Sequence, residues 1–183
     1  MMDSADTKDY LQVGMEAPTF SLPNARGDVV ESASLLAKHA LVISFYRGRW
    51  CPYCSEELKA LQLGLPDFED AGAQLVAISP ELPDDSMTIH EKRALAFPIL
   101  SDVGNEVARR FGVVVSIGES QKKAMLAAGV DLTVLNGDAS WEVPLPATFV
   151  VDRQSTIRYA FVNEDITQRP PVSDIVHSLR ALG

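Results

Sequence analysis

Both cysteines of the chain, Cys51 and Cys54, lie three positions apart in the segment FYRGRWCPYC, which spans residues 45–54. A short apolar run, residues 41–46, precedes them, and a segment with helical character begins at Ser55. A pair of thiols at a strand–helix junction is typical of redox chemistry, since the reactive species is the thiolate and its surroundings decide whether it forms.

The residues around the pair favour ionisation of the first thiol. The N-terminus of a helix presents unpaired N–H groups and a partial positive charge, which stabilise an anion. Pro52 suits the first helical position, so we place Cys51 at the helix cap and Cys54 in the first turn. Arg47 and Arg49 add positive charge nearby. We predict that Cys51 is the ionised, exposed nucleophile and that Cys54 is the resolving thiol, which closes an internal disulfide.

Two other interpretations of the pair are half of a zinc site and two inert core thiols. A closed zinc site takes four Cys or His ligands. The three histidines, His39, His90 and His177, are widely separated and form no second ligand pair. We favour redox chemistry, expect neither a metal nor a cofactor, and treat the histidines as ordinary surface or packing residues.

The composition is that of a globular protein with one domain. The chain has 183 residues, of which 46% are hydrophobic and 22% charged, and its formal net charge is −9. That charge argues against nucleic-acid binding. The sequence contains no run of eighteen apolar residues, so we expect no membrane span. Residues 1–10 are polar and acidic, unlike a signal peptide. We predict a cytoplasmic protein, where a disulfide is more often catalytic than structural, with a flexible tail over residues 1–12 and a single domain over residues 13–183.

Predicted strands and helices alternate along the chain. Apolar runs predict strands at residues 41–46, 74–79 and 147–151, and a tight turn at 152–155 predicts a hairpin with residues 156–161. Asn24 and Gly27 predict a second turn near the N-terminus. Predicted helices span residues 52–70, 84–96, 105–111, 120–128 and 172–182. Residues 130–145 give no clear pattern. The order of elements favours an α/β domain.

The segment FYRGRWCPYCSEELKALQ resembles the active-site region of the peroxiredoxin-like branch of the alkyl hydroperoxide reductase and thiol-specific antioxidant (AhpC/TSA) family. Residues 14–20 (GMEAPTF) are similar to the opening of that family, and residues 145–152 (LPATFVVD) are similar to its late strand. The resemblance extends over residues 13–181. It implies a thioredoxin-like three-layer sandwich, with a mixed central sheet, helices on both faces and an N-terminal hairpin.

The resemblance also implies roles for residues around the thiols. In thioredoxin-like proteins the proline before the late strand, here Pro146, is typically cis and faces the nucleophile; the alternative is an ordinary loop proline. Trp50 and Tyr53 are expected to shape the rim of the site, with core packing as the alternative for Trp50. Glu56 and Glu57 fit the first helical turn, where carboxylates offset the helix dipole. The alternative for either residue is to accept a proton from Cys54.

The sequence departs from the family pattern at three positions. Relatives carry Thr or Ser three residues before the peroxidatic cysteine, Pro seven before it, and Arg near the start of the late strand. Those positions hold Gly48, Ser44 and Pro146 here. The missing groups hold the peroxide, so we expect Arg47, Arg49 or Arg158 to substitute for the missing arginine.

Three functions are compatible with these residues. The first is reduction of hydrogen peroxide or an alkyl hydroperoxide by Cys51, with Cys54 closing a disulfide that a thioredoxin-like or glutathione-type reductant reopens. The second is thiol–disulfide exchange on protein or glutathione disulfides, which the CPYC motif favours. The third is a redox-sensing domain without turnover. The family resemblance favours the first. Family relatives often dimerise, so the resemblance also raises a homodimer as an expectation.

Overall fold

The computed structural model describes residues 9–83 and 95–183. The strands are β1 (Ser21–Pro23), β2 (Val29–Glu31), β3 (Ala40–Phe45), β4 (Ala73–Ser79), β5 (Ile99–Ser101), β6 (Val114–Ser116), β7 (Glu142–Pro144), β8 (Ala147–Val151) and β9 (Ile157–Val162). The helices are α1 (Ser32–Leu36), α2 (Pro52–Asp70), α3 (Glu106–Arg110), α4 (Glu119–Ala127), α5 (Leu132–Asn136) and α6 (Val172–Arg180).

Five strands form a mixed central sheet in the order β5-β4-β3-β8-β9. β3, β4 and β5 are parallel, whereas β8 runs antiparallel to both β3 and β9. The central strand β3 is buried along its whole length, as expected for a strand covered on both faces. This confirms the predicted mixed sheet and the late hairpin.

Side chains of β3 alternate between two apolar cores. Leu41, Ile43 and Phe45 belong to the core on one face, and Val42 belongs to the core on the other, because successive side chains of a strand point to opposite faces. The first core is covered by α1 and α3 and contains three packed phenyl rings, with the centroids of Phe45 and Phe111 5.1 Å apart. The layers on both faces confirm the predicted three-layer sandwich.

Helices α2 and α6 cover the second face of the sheet. α2 buries residues at helical spacing, among them Leu58, Leu61 and Phe68, and α6 buries Ile175 and Leu179. Both rows belong to the same core. The residues of β3 and β8 on this face therefore lie beneath the first turns of α2, where the two cysteines are.

The predicted N-terminal hairpin is present as the antiparallel pair β1–β2. The Asn24 side-chain oxygen accepts hydrogen bonds from the backbone N–H groups of Arg26 (2.9 Å) and Asp28 (3.0 Å). Asn forms such bonds readily within turns, which explains why its position marked the hairpin.

Two elements between residues 130 and 145 lack a clear signal in the sequence. α5 is a short helix capped by Asp131, whose carboxylate accepts from the Thr133 N–H at 2.9 Å. β7 pairs antiparallel with β6. The predicted helix at residues 84–96 falls almost entirely outside the described residues, as does His90.

The first described residues contact the domain: the Leu11 N–H donates to the Phe111 carbonyl at 3.2 Å. The boundary between tail and domain at residue 12 stays a prediction. Within the described ranges, none of the helices combines the length and the apolar character that crossing a membrane requires.

Candidate active site

The backbone places both cysteines as the sequence predicts. β3 ends at Phe45 and α2 begins at Pro52, the first helical residue. Cys51 is the N-cap, with an extended backbone (φ −92°, ψ 112°), and Cys54 lies in the first turn. The Ser55 N–H donates to the Cys51 carbonyl at 3.1 Å, the first helical hydrogen bond of α2. Both sulfurs therefore lie at the N-terminus of the longest described helix.

The prediction that Cys51 is exposed is wrong. Only 2% of its surface is accessible, and Cys54 is also buried. Both belong to the core between α2 and the sheet, together with Tyr46 and the partly buried Trp50. Tyr46 and Trp50, in the segment between β3 and α2, pack into this core with the two cysteines instead of leaving the cap open to solvent.

Cys51 is nevertheless the more acidic thiol. A hydrogen bond from the Cys54 thiol lowers the pKa of Cys51 to about 6, assisted by the Cys54 N–H and by the Arg47 and Arg169 guanidinium groups, while burial opposes the shift. The same hydrogen bond, together with burial, raises the pKa of Cys54. The predicted roles rested on the helix N-terminus, but the larger effect comes from the partner thiol.

Of the arginines expected near the thiols, only Arg47 is a neighbour of both. It is buried, its guanidinium lies 5.0 Å from the Trp50 ring centroid, and its backbone N–H bonds to the Cys54 sulfur. The Arg49 N–H instead donates to Glu81 at 3.1 Å. Arg158 forms an ion pair of 2.6 Å with Asp152 in the turn before β9. Arg158 is therefore not part of this site.

Two charged residues complete the site beneath Cys54. Glu57 is buried, and its carboxylate Oε2 lies 2.6 Å from Nε of Arg169. Nη2 of Arg169 lies 3.5 Å from Sγ of Cys54. Burial raises the pKa of Glu57 to about 7, although Arg169 and the Thr148 hydroxyl favour its carboxylate form. Glu56, by contrast, is exposed and pairs with Lys59.

Sequence reasoning did not identify Arg169, which follows β9 in an irregular segment with no motif. Glu57 carried a usable signal, because it follows Cys54 by three residues and precedes the buried Leu58, so helical spacing places it on the inward face of α2. In the described part of the chain, no three His, Cys, Asp or Glu side chains are grouped closely enough to hold a metal ion.

Comparison with known proteins places this site in a family. The AhpC/TSA family model matches residues 13–160. The chain belongs to the AhpC/TSA family. A putative peroxiredoxin of Mycobacterium tuberculosis is 32% identical over 157 residues, which cover 86% of this chain and 88% of the relative. Peroxiredoxin Bcp of Escherichia coli is 32% identical over 103 residues, covering 56% and 65% of the two chains.

Solved structures give the same fold. The peroxidoxin BcpB of Mycobacterium tuberculosis superposes with a TM-score of 0.73 at 22% identity, covering 95% of this chain and 99% of that one. PrxQ of Xylella fastidiosa gives a TM-score of 0.72 at 18% identity, with coverage of 95% and 98%. These findings confirm the predicted family, the thioredoxin-like fold and the enzyme class: this AhpC/TSA member is a thiol-dependent peroxidase.

The structure explains one departure from the AhpC/TSA pattern. Gly48, where relatives carry Thr or Ser, has φ +146°, a backbone conformation that side chains disfavour. A Cβ at this position would lie 2.5 Å from Nε1 of Trp50 and 2.8 Å from Oε1 of Glu81. The packing of Trp50 across this turn therefore requires glycine and leaves no room for the family's hydroxyl.

The proline expected to be cis, Pro146, does not have that geometry. All peptide bonds between described residues are trans, and Pro146 is buried at the start of β8, where its carbonyl accepts from the Asn163 N–H at 3.3 Å. That hydrogen bond joins Pro146 to Asn163, the residue that follows β9. Pro146 therefore has the backbone of an ordinary strand entry, and a direct role toward the nucleophile stays a prediction.

Hydroxyl groups lie on the same face of the sheet as the thiols. Ser44 and Thr148 are directly opposite each other in the β3–β8 register, and both are fully buried. Among the described residues neither side-chain oxygen makes a hydrogen bond of ordinary geometry, although the Thr148 hydroxyl lies close enough to the Glu57 carboxylate to favour its ionised form. Ser44 thus replaces the family's proline with a hydroxyl beneath the site.

The aromatic residues of the motif differ in exposure: Tyr53 faces solvent, whereas Trp50 packs against apolar clusters. Tyr53 is 46% exposed in the first turn of α2, as expected for a rim residue, and Pro52 is exposed beside it. Trp50 packs both against the core that holds the cysteines and against a small cluster formed by residues 114–144, which includes the buried Trp141. The segment that gave no clear pattern therefore contacts the active-site motif through Trp50.

Proposed function

We propose that Cys51 is the peroxidatic residue of this thiol-dependent peroxidase and that Cys54 resolves it within the same chain. The observation that carries the proposal is the unequal thiol pair. Cys51 has a pKa of about 6, so it is ionised at neutral pH, while Cys54 keeps its proton and donates a hydrogen bond to it.

The first step is attack of the Cys51 thiolate on the nearer oxygen of a hydroperoxide. A sulfur–oxygen bond forms, the O–O bond breaks, and the leaving alkoxide or hydroxide takes a proton from solvent, giving the sulfenic acid and an alcohol or water. The positive charge of Arg47 favours the thiolate, and we assign to the same guanidinium the stabilisation of the negative charge that develops on the leaving oxygen.

The same hydrogen bond sets the order of the two steps. While Cys51 is a thiolate, its charge holds the proton on Cys54. Oxidation to the sulfenic acid removes that charge, so the pKa of Cys54 falls after the first step and not before it. The buried Glu57 carboxylate, with a pKa of about 7, is poised to accept the proton released by Cys54.

In the second step the Cys54 thiolate attacks the Cys51 sulfur. The S–S bond forms and the S–O bond breaks, and the departing hydroxide leaves as water with the proton that Glu57 received. A thioredoxin-type dithiol then reduces the disulfide by exchange and becomes oxidised in turn. A homodimer stays a prediction.

Exchange on protein disulfides is the second candidate, which the CPYC spacing of the two thiols favours. The direct test mixes reduced protein with hydrogen peroxide or an alkyl hydroperoxide and follows thiol loss and peroxide consumption.

Oxidation within seconds at micromolar peroxide, followed by sustained turnover with a thioredoxin system, supports the proposal. Slow oxidation by both peroxides combined with fast reduction of mixed disulfides would overturn it in favour of the exchange reaction. Fast oxidation that no reductant reverses would indicate the sensing function.

A further inference from the structure

Arg169 is held rigidly by the irregular segment that joins β9 to α6. Its Nη1 donates to the carbonyl oxygens of Ile166 at 2.6 Å and Gln168 at 2.8 Å. Pro170, which follows it, is buried. Only 15% of the Arg169 side chain is accessible to solvent. The guanidinium is therefore fixed in place before any reaction occurs, which is the condition for efficient electrostatic stabilisation.

The remaining donors of Arg169 point at the resolving half of the dithiol. Nη2 lies 3.5 Å from Sγ of Cys54, and Nε lies 2.6 Å from the Glu57 carboxylate. Arg47 reaches the pair from the segment after β3, with its backbone N–H on Cys54 and its guanidinium over the Trp50 ring. The buried Arg47 and the partly buried Arg169 thus reach the dithiol from two separate segments of the chain.

We propose that Arg169 is a catalytic residue of the resolving step, in which its guanidinium stabilises the thiolate of Cys54 as that sulfur attacks the sulfenic acid of Cys51. The inference rests on the proposed function and adds to it a residue specific to the second step. In that step Cys54 loses its proton to Glu57, the S–S bond forms, and hydroxide leaves the Cys51 sulfur as water with that proton.

The position of Arg169 makes its contribution selective. During peroxide attack Cys54 is a neutral thiol, and Arg169 stabilises the Cys51 thiolate less than the Cys54 thiol and Arg47 do, so its contribution to breaking the O–O bond is small. During resolution the negative charge is on Cys54 itself, in contact with Nη2. A group accelerates the step in which its interaction strengthens between ground state and transition state, and for Arg169 that is the second step.

If Arg169 accelerates only the resolving step, it also protects Cys51 from oxidation beyond the sulfenic acid. The sulfenic acid has two fates: attack by Cys54, which gives the disulfide, or reaction with a second hydroperoxide molecule, which gives the sulfinic acid and an alcohol or water. Slower resolution lengthens the life of the sulfenic acid. Loss of Arg169 therefore shifts the product toward the sulfinic acid at a given peroxide concentration.

The test separates the two steps in Arg169→Gln and Arg169→Lys. Reduced protein is mixed with hydrogen peroxide in a stopped-flow instrument. The phase whose rate depends on peroxide concentration reports sulfenic acid formation, and the phase that does not reports resolution. Mass spectrometry after trapping quantifies sulfenic acid, disulfide and sulfinic acid. Arg180→Gln, an exposed arginine at the end of α6, is the matched control.

We expect Arg169→Gln to slow resolution about tenfold or more, as loss of a charge-assisted contact implies, and to change the peroxide-dependent rate by less than about threefold. Sulfinic acid should accumulate at lower peroxide than in the parent protein. Arg169→Lys should recover part of the resolution rate, because it keeps the charge. Thermal unfolding of each variant checks that the fold is retained.

Glu57→Gln separates a direct effect from one exerted through the ion pair. If Arg169 acts on Cys54 directly, Arg169→Gln slows resolution further in the Glu57→Gln background; if the second substitution has no added effect there, the inference is wrong. Equal slowing of both phases by Arg169→Gln would also overturn it. Failure of the parent protein to react with peroxide would instead overturn the proposed function.

Discussion

Nη2 of Arg169 lies 3.5 Å from Sγ of Cys54, although the two residues are 115 positions apart in the chain. The site therefore combines a local motif at the end of β3 with a distant arginine supplied by the segment before α6. The buried Arg47 follows β3 directly, whereas Arg169 contacts the sulfur of Cys54 from the segment before α6. The two sulfurs are also coupled by the hydrogen bond between them, and the following predictions test both the arginines and this coupling.

The pH dependence of the peroxide reaction should follow the ionisation of Cys51. Its pKa is lowered to about 6 from an ordinary value of 9.0, so the second-order rate constant should rise as pH increases through about 6 and level off above it. The measurement is the rate of thiol oxidation at fixed peroxide between pH 4.5 and 9, in single turnover. A rate still rising steeply at pH 8 would contradict a thiolate stabilised by its neighbours.

Substitution of Cys54 should reveal how strongly its hydrogen bond acts on Cys51. Cys54→Ala removes the donor, so the pKa of Cys51 should move back toward 9.0, whereas Cys54→Ser keeps a hydroxyl donor and should move it less. Alkylation rates across pH measure this difference. Both variants should still form the sulfenic acid and fail to close the disulfide, and Cys51→Ser should abolish peroxide reduction.

Glu57 should make stability fall as pH rises. Its folded pKa of about 7 lies above the value of 4.5 for an ordinary Glu, so its stabilising contribution is fully present below pH 4.5 and is lost by about pH 7. At about 1.36 kcal/mol per pH unit, the interval corresponds to roughly 3 kcal/mol. The free energy of unfolding of Glu57→Gln, relative to its parent, should therefore increase across this interval.

The comparison is cleaner in a Cys51→Ser background, because the Cys51 thiolate titrates in an overlapping range with the opposite sign. Urea unfolding at several pH values gives the difference between the two proteins. A difference independent of pH would mean that the pKa of Glu57 is the same in the folded and unfolded protein, which would contradict a pKa raised by burial.

Restoring the family's hydroxyl three residues before Cys51 should impair the enzyme. Gly48→Thr places a Cβ against the Trp50 indole and the Glu81 carboxylate and forces a threonine into φ +146°. We expect a loss of about 2 kcal/mol or more in the free energy of unfolding, together with slower peroxide reduction. Gly118→Ala, where a Cβ meets nothing within 4 Å, replaces the N-cap of α4 and should keep the parent activity while losing less stability than Gly48→Thr.

The sequence predicted what depends on local chemistry. The thiol spacing, Pro52 and the apolar run before it placed Cys51 at the cap of α2, and the inward row of α2 followed from helical periodicity. The burial of Cys51 could not be predicted from local patterns, because it depends on the packing of Tyr46 and Trp50 around the N-terminus of α2. The two thiols also interact more strongly with each other than with the helix terminus.

Arg169 was beyond prediction for a different reason. It lies in an irregular segment without periodicity, and only the packing of α6 against α2 brings it beneath Cys54. Arg49 and Arg158 were reasonable candidates from the sequence. In the structure Arg49 forms an ion pair with Glu81, and Arg158 forms one with Asp152. Proximity in the sequence therefore did not identify every arginine that contacts the thiols.

Trp50 is the residue common to the core beneath the thiols and the small cluster of residues 114–144. The remainder of that cluster packs on itself, around Ile117, Leu132 and Trp141. A substitution in this cluster is therefore expected to reach the surroundings of the two thiols through the indole of Trp50.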